Sequence, residues 1–469
     1  MVFSSTVFLF IFLPFVLFAN FLLKPAVRNL FLLVVSLFFY AWGEGILVLI
    51  MIFSCCINYA AGLAIDRYRT DERIVKPILA VTIMINLSFL IYYKYLGFLL
   101  DNLPFLARHV HLNTSIALPI GISFYTFHGI SYLVDLYKKN IPALKSPVDV
   151  GLYIAFFPQL VAGPIVRYSD IAEQLMSRNV NTDALFYGCI RFIRGLAKKI
   201  IIANTVGKFV DLALQGNVTE MPAGIAWLCL IGYTLQIYYD FSGYSDMAIG
   251  LAKMFGFHFK ENFDHPYSAT SIQDFWRRWH ISLSSWFRDY VYIPLGGNQK
   301  GIARTYVNLF IVFLITGMWH GASWNFIIWG LFHGLFIILE RSKIINSDRF
   351  PVVIRHGYTM VVVMAGWVFF RFETLSDALT FFQSLTGLTH GHNYQSVVLL
   401  SPYFFIILTI GILFALPLRN WLWESLARYV PTLPTFRLVA ASCFYIALFL
   451  VSVMELAQSS YNPFIYFRF

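Results

Sequence analysis

The sequence predicts an all-α membrane protein, a polytopic helical bundle of about eleven spans with additional re-entrant or interfacial helices. Three observations carry that reading. Hydrophobic residues make up 59% of the 469 and charged residues only 12%, a balance that no soluble globule of this length shows. Apolar runs recur at the length that crosses roughly 30 Å of hydrocarbon, about twenty helical residues. Lys and Arg collect in alternate connecting loops, as the positive-inside rule requires. With no repeat, low-complexity tract or appended soluble domain in the sequence, residues 1–469 read as one membrane domain.

The first run, Thr6 to Leu23, has no basic residue before it and no small-residue cleavage site before Lys24, so it is expected to stay as a span and not to be removed as a signal peptide. Lys24 and Arg28 on its far side put the N-terminus outside. Further runs follow at Ile46 to Ile65, Pro77 to Tyr93, Ala223 to Tyr239, Ala303 to Met318, Trp324 to Leu339, Thr359 to Phe370, Tyr403 to Leu416 and Leu438 to Met454. Shorter or more polar candidates make up the remainder. Arg67, Arg69, Arg73 and Lys76 form a basic inner loop, and Lys138, Lys139 and Lys145 a second. Arg341, Lys343, Arg349 and Arg355 form a third, and Arg419, Arg428 and Arg437 a fourth. Asp211 to Pro222 and Glu373 to Ser401 are poor in Lys and Arg and are expected to face outward, which leaves Glu455 to Phe469 external as well.

This dispersal accounts for the formal net charge of +10 without a nucleic-acid-binding patch, and no nucleic acid partner is expected. The five cysteines, Cys55, Cys56, Cys189, Cys229 and Cys443, lie in or beside apolar runs, where cysteine behaves as a small hydrophobe. Neither a disulfide framework nor a metal site is expected from them.

Residues 238–301 break the pattern, being too polar to span and too aromatic for a solvated loop. Arg277, Arg278, Arg288 and Asp289 stand among Trp276, Trp279, Trp286 and Tyr290, a mixture suited to the headgroup level or to a cavity entered from the inner face. The arginines are candidates for binding a phosphate-bearing donor, and equally for anchoring the inner interface; Trp279 is a donor candidate beside them, although the tryptophans read first as interfacial packing. Two histidines follow tryptophan here, in Phe275-Trp276-Arg277-Arg278-Trp279-His280-Ile281-Ser282 and in Met318-Trp319-His320-Gly321. An imidazole in hydrocarbon needs a partner and is suited to moving a proton near neutral pH, so the pair reads as a buried reaction centre. His128 and His333 also fall on apolar runs and read as structural; His265, His390 and His392 read as loop residues, and Gly296-Gly297-Asn298 as a turn.

These motifs, with Tyr239-Asp240-Phe241-Ser242-Gly243-Tyr244-Ser245-Asp246, Trp286-Phe287-Arg288-Asp289-Tyr290, Leu118 to Tyr125, Ala162-Gly163-Pro164 and Asn462 to Phe469, resemble the bacterial, alginate O-acetyltransferase-like branch of the membrane-bound O-acyltransferase family over nearly the full length. The resemblance implies a bundle with a central tunnel in a bacterial cytoplasmic membrane. It implies acetyl-CoA as a donor substrate from the cytoplasm, with no tightly bound cofactor, and an extracytoplasmic polysaccharide as the final acceptor. It assigns His320 as general base and His280 as its support. It also implies a relay to an external SGNH-type transferase, in which either Tyr466, as an ester, or a residue of a partner carries the acyl group, although Tyr466 reads equally as an ordinary aromatic-belt residue. A D-alanyl transferase to a wall polymer is the alternative within the enzyme class. A transporter or flippase is the alternative outside it, and would call for internal pseudo-symmetry that the sequence does not display.

Overall fold

The computed structural model describes residues 1–107, 117–139, 141–346, 349–387, 400–417, 434–458 and 461–465. Tyr466, His390, His392, Arg419 and Arg428 lie outside the described residues. Among the described residues every regular element is a helix, and each apolar run read from the sequence falls on one. Among the described residues, five stretches are long and apolar enough to cross a bilayer: Pro25–Arg67, Glu72–Asn102, Ile302–His320, Val352–Arg371 and Leu438–Gln458. Phe8–Leu22 and Pro402–Ala415 are shorter apolar helices. Phe10, Ile11, Phe15 and Phe18 stay exposed on the first of these, the arrangement expected of a helix whose outer face meets lipid. All five cysteines are unbridged.

Helix starts follow local chemistry. Asp71, Ser146, Ser271, Thr374 and Ser401 each cap a helix by accepting a main-chain N–H two or three residues on, which satisfies a donor the first turn leaves without a partner.

The chain divides into two compact units, Met1–Phe192 with Ser245–Lys260 and Ile193–Tyr244 with Glu261–Phe469. In the first, helix Val48–Arg67 packs on Glu72–Leu90, Ile122–Tyr137 and Pro147–Ala155. Asn58 and Asn86 exchange amide hydrogen bonds of 3.0 and 3.1 Å between two of those helices. Neither amide could be left unsatisfied in an apolar interior, so the pair ties the helices together.

The second unit is built on the hairpin of Ile302–His320 and Trp324–Arg341. Two glycines let these helices approach: a Cβ on Gly330 would lie 2.3 Å from the Phe313 carbonyl oxygen and 2.9 Å from Gly317 Cα. Gly330→Val is therefore expected to destabilise the protein by about 1–3 kcal/mol through overpacking. Gly357→Ala, whose Cβ would meet nothing within 4 Å, is the silent control in the same detergent melting experiment.

The structure extends one predicted element. The run Ala223 to Tyr239 does not end where polarity rises, because helix Ala223–Met254 continues for 32 residues through the Tyr239 to Asp246 motif. A helix satisfies its own backbone, and both carboxylates of the motif are paired: Asp240 with Lys199 at 2.6 Å and Asp246 with Arg191 at 2.7 Å. The rest of the polar segment includes two short α-helices, Ile272–Arg278 and Ile281–Phe287. It closes in a turn where Gly296 and Gly297 take φ of +107° and +55°, values suited to glycine.

Candidate active site

His280 sits between the two short helices, fully buried, in the left-handed conformation at φ +43° and ψ +55°. That backbone is unfavourable for a residue with a Cβ and persists only where neighbours enforce it. Asn262 does so. Its carbonyl accepts the Ile281 N–H at 2.9 Å, and its side-chain oxygen accepts the Ser282 N–H at 3.1 Å and the Ser282 hydroxyl at 2.8 Å. The same oxygen lies 3.2 Å from His280 Nδ1. On the other side the Phe241 ring meets the imidazole edge to face at 4.6 Å. Burial pushes the His280 pKa down to about 3, so the ring is neutral near pH 7.

His320 ends helix Ile302–His320, 2% exposed, and is enclosed by aromatic rings. Its centroid lies 4.8 Å from Trp319, 4.8 Å from Trp329 and 5.1 Å from Phe370. Trp319 joins the two sites, since the His280 ring also lies against it at 6.1 Å. Forty residues apart in the chain, the two histidines thus share one tryptophan.

His333 belongs to the same cluster, a placement that its apolar surroundings in the sequence did not disclose. Its ring stands 5.2 Å from Trp276 and 5.2 Å from Trp329, the indole that faces His320. Neither of its nitrogens has a hydrogen-bond partner among the described residues. Gly366 makes room for it, because a Cβ there would fall 2.5 Å from His333 Nε2.

The donor-binding candidates take different places. Arg277 is exposed. Arg278 pairs with Asp274 at 2.9 Å and approaches Asp264 at 3.9 Å, while Arg288 is exposed and paired with Asp289 at 2.6 Å. Trp279 is buried, stacked on Phe275 at 5.6 Å and tilted against Trp367 at 4.8 Å. Helix Ile272–Arg278, which carries Arg277 and Arg278, is held by Glu340, which accepts the N–H groups of Ile272 at 2.7 Å and Gln273 at 3.1 Å. A carboxylate on a helix N-terminus is favourable in charge as well as geometry.

The terminal motif was visible in the sequence, but what holds residues 461–465 in place was not. Lys199 and Asp240 are 0% and 3% exposed at their side chains, and between them they grip this segment. Lys199 Nζ donates to the Pro463 carbonyl, and Asp240 Oδ2 accepts the Ile465 N–H at 2.8 Å. Phe464 packs 4.7 Å from the Tyr244 ring, and Phe464 and Ile465 are buried. Upstream, the Tyr461 hydroxyl donates to Asp211, whose other oxygen accepts from Arg371 at 2.8 Å. Asp240 precedes Phe241, the residue whose ring touches His280. A lysine inside an apolar helix was the sequence signal for this anchor, and Lys198-Lys199-Ile200-Ile201-Ile202 displays it.

The membrane-bound O-acyltransferase family model matches residues 136–370. The probable alginate O-acetylase of Pseudomonas putida is 39% identical over 100% of this chain and 100% of its own. The peptidoglycan O-acetyltransferase of Helicobacter pylori is 36% identical over 83% of this chain and 80% of its own. The teichoic acid D-alanyltransferase of Bacillus subtilis is 28% identical over 54% of this chain and 68% of its own.

Proposed function

The chain belongs to the membrane-bound O-acyltransferase family, a multi-pass membrane enzyme, and from that premise we propose that it moves acetyl groups from cytoplasmic acetyl-CoA to an extracytoplasmic polysaccharide. In this reading the protein lies in a bacterial cytoplasmic membrane with both termini outside, as the distribution of Lys and Arg suggests. Relatives at 39% and 36% identity named for alginate and peptidoglycan O-acetylation support acetyl over D-alanyl transfer, the latter name belonging to a relative at 28%.

The chemistry falls to the histidines. A hydroxyl oxygen attacks the thioester carbonyl carbon as His320 takes the hydroxyl proton. The carbon–sulfur bond then breaks, and the proton returns to the sulfur. Free CoA and a new O-acetyl ester result, with CoA remaining on its own side. His280 supports this centre, and the aromatic shell keeps water from competing. Arg277, Arg278 and Arg288 are the candidate contacts for the donor's phosphates, with Trp279 a further candidate for the donor.

The single observation that carries the relay is the seating of residues 461–465 on Asp240, next to the residue that touches His280. Tyr466 follows directly. Its phenol is a reasonable first acceptor, since a phenyl ester is more reactive than a sugar ester and can be handed on to an SGNH-type partner outside.

The test is transfer of radiolabelled acetyl from acetyl-CoA to full-length protein in nanodiscs. Label retained by wild type and lost from Tyr466→Phe, with CoA release slowed in parallel, is the expected result. Labelled Tyr466→Phe would place the acceptor elsewhere, and no donor turnover by wild type would overturn acetyl-CoA as the donor.

A further inference from the structure

The oxygen of Asn262 identifies the protonated nitrogen of His280. A main-chain nitrogen only donates, so the side-chain atom facing the Ser282 N–H at 3.1 Å is the amide oxygen, and the Asn262 amide cannot be turned over. That oxygen also faces His280 Nδ1 at 3.2 Å. Two acceptors do not bond, so Nδ1 carries hydrogen. Ser282 agrees, because its hydroxyl is directed to Asn262 at 2.8 Å and turns a lone pair toward Nδ1 at 3.4 Å. A neutral imidazole has one N–H, which leaves Nε2 bare. Nε2 is buried and has no hydrogen-bond partner among the described residues.

An unsatisfied buried nitrogen on a left-handed residue is a combination that packing alone disfavours twice. A helix start needs neither feature, since serine or asparagine caps one without a histidine ahead of it. The arrangement makes sense if Nε2 receives its partner during the reaction.

The geometry points to Asn262 as a positioning residue that fixes His280 in the tautomer protonated at Nδ1, so that Nε2 faces the reaction as a hydrogen-bond acceptor and the neutral ring cannot serve as a donor to the thioester oxyanion. This rests on the acyl-transfer reading above for the reaction, but not for the tautomer. His280 then accepts a hydrogen bond from an O–H or N–H of the reacting groups, and any oxyanion donor is another group.

Nitrogen-15 spectra of histidine-labelled full-length protein in nanodiscs test the assignment, with His280 identified by difference against His280→Gln. The expected spectrum has N–H character at Nδ1 and lone-pair character at Nε2. Asn262→Leu should lose that signature and about a hundredfold in kcat, the range of a misplaced acid–base group, with KM for the donor unchanged. Asn262→Asp keeps the acceptor and should restore both signature and most of kcat. Wild type with its hydrogen on Nε2 overturns the proposal, as does Asn262→Leu with wild-type kcat and spectrum. Should Asn262→Leu fail to fold, the wild-type spectrum alone decides. A correct spectrum in protein that turns over no acyl donor would defeat the acyl-transfer reading and the reaction role, while leaving the tautomer established.

Discussion

His320→Ala is expected to lower acyl transfer by about 10²–10⁴-fold, the usual contribution of a positioned acid–base group. That loss corresponds to roughly 3–5 kcal/mol of transition-state stabilisation. The imidazole is 2% exposed and bounded by Trp319, Trp329 and Phe370, so neither bulk water nor a neighbouring side chain can easily take over its proton transfer. The fold should survive, because the enclosing rings also pack on one another, as Trp329 does on Phe370 at 5.2 Å. Donor turnover and thermal unfolding on the same preparation separate the two effects. A folded His320→Ala that releases CoA within about threefold of wild type would remove His320 from the chemistry, since the acid–base range begins far above that. His333→Phe is the useful companion: it lies one indole away in the same cluster and is expected to change stability more than rate.

The second large effect is expected at the buried anchor. Lys199→Met leaves Asp240, itself 2% exposed, without its ion-pair partner, and removing one member of a buried pair typically costs about 3–5 kcal/mol. It also frees the Pro463 carbonyl. The double variant Lys199→Met/Asp240→Leu removes both charges and should regain most of the lost stability, since apolar replacement of a whole buried pair is often neutral or better. It cannot regain the bond from the Ile465 N–H. A stable double variant that no longer labels its tail is therefore the expected outcome. Full labelling of that variant would show that the anchor does not position the tail, and an unchanged melting temperature in Lys199→Met would show that the pair contributes nothing.

Much of this architecture was legible in the sequence because a bilayer leaves so few solutions. Every run long and apolar enough to cross hydrocarbon had to become a helix, and each did. The exception is instructive: rising polarity after Tyr239 suggested that the span was over, yet Asp240 and Asp246 continue the helix because Lys199 and Arg191 neutralise them. Hydropathy counts a charge at full cost and has no knowledge of its partner. The histidines were visible as residue types out of place in hydrocarbon, whereas the ranking of His333 below them rested on its having no motif, and a motif says nothing about who packs beside whom.

What the sequence by itself determined was the apolar or polar character of each segment, hence the all-helical class, together with the family; the candidate side chains stood out in it as residue types only. Tertiary structure alone decided how those side chains meet. Trp319 between His280 and His320, Asn262 beneath His280, and Asp240 holding Ile465 across 225 positions all depend on how helices are rotated and stacked. Apolar periodicity is local and constrains a helix to its surroundings. The partner of a buried polar atom is set by long-range packing, where one unsatisfied group costs more than a local preference can supply.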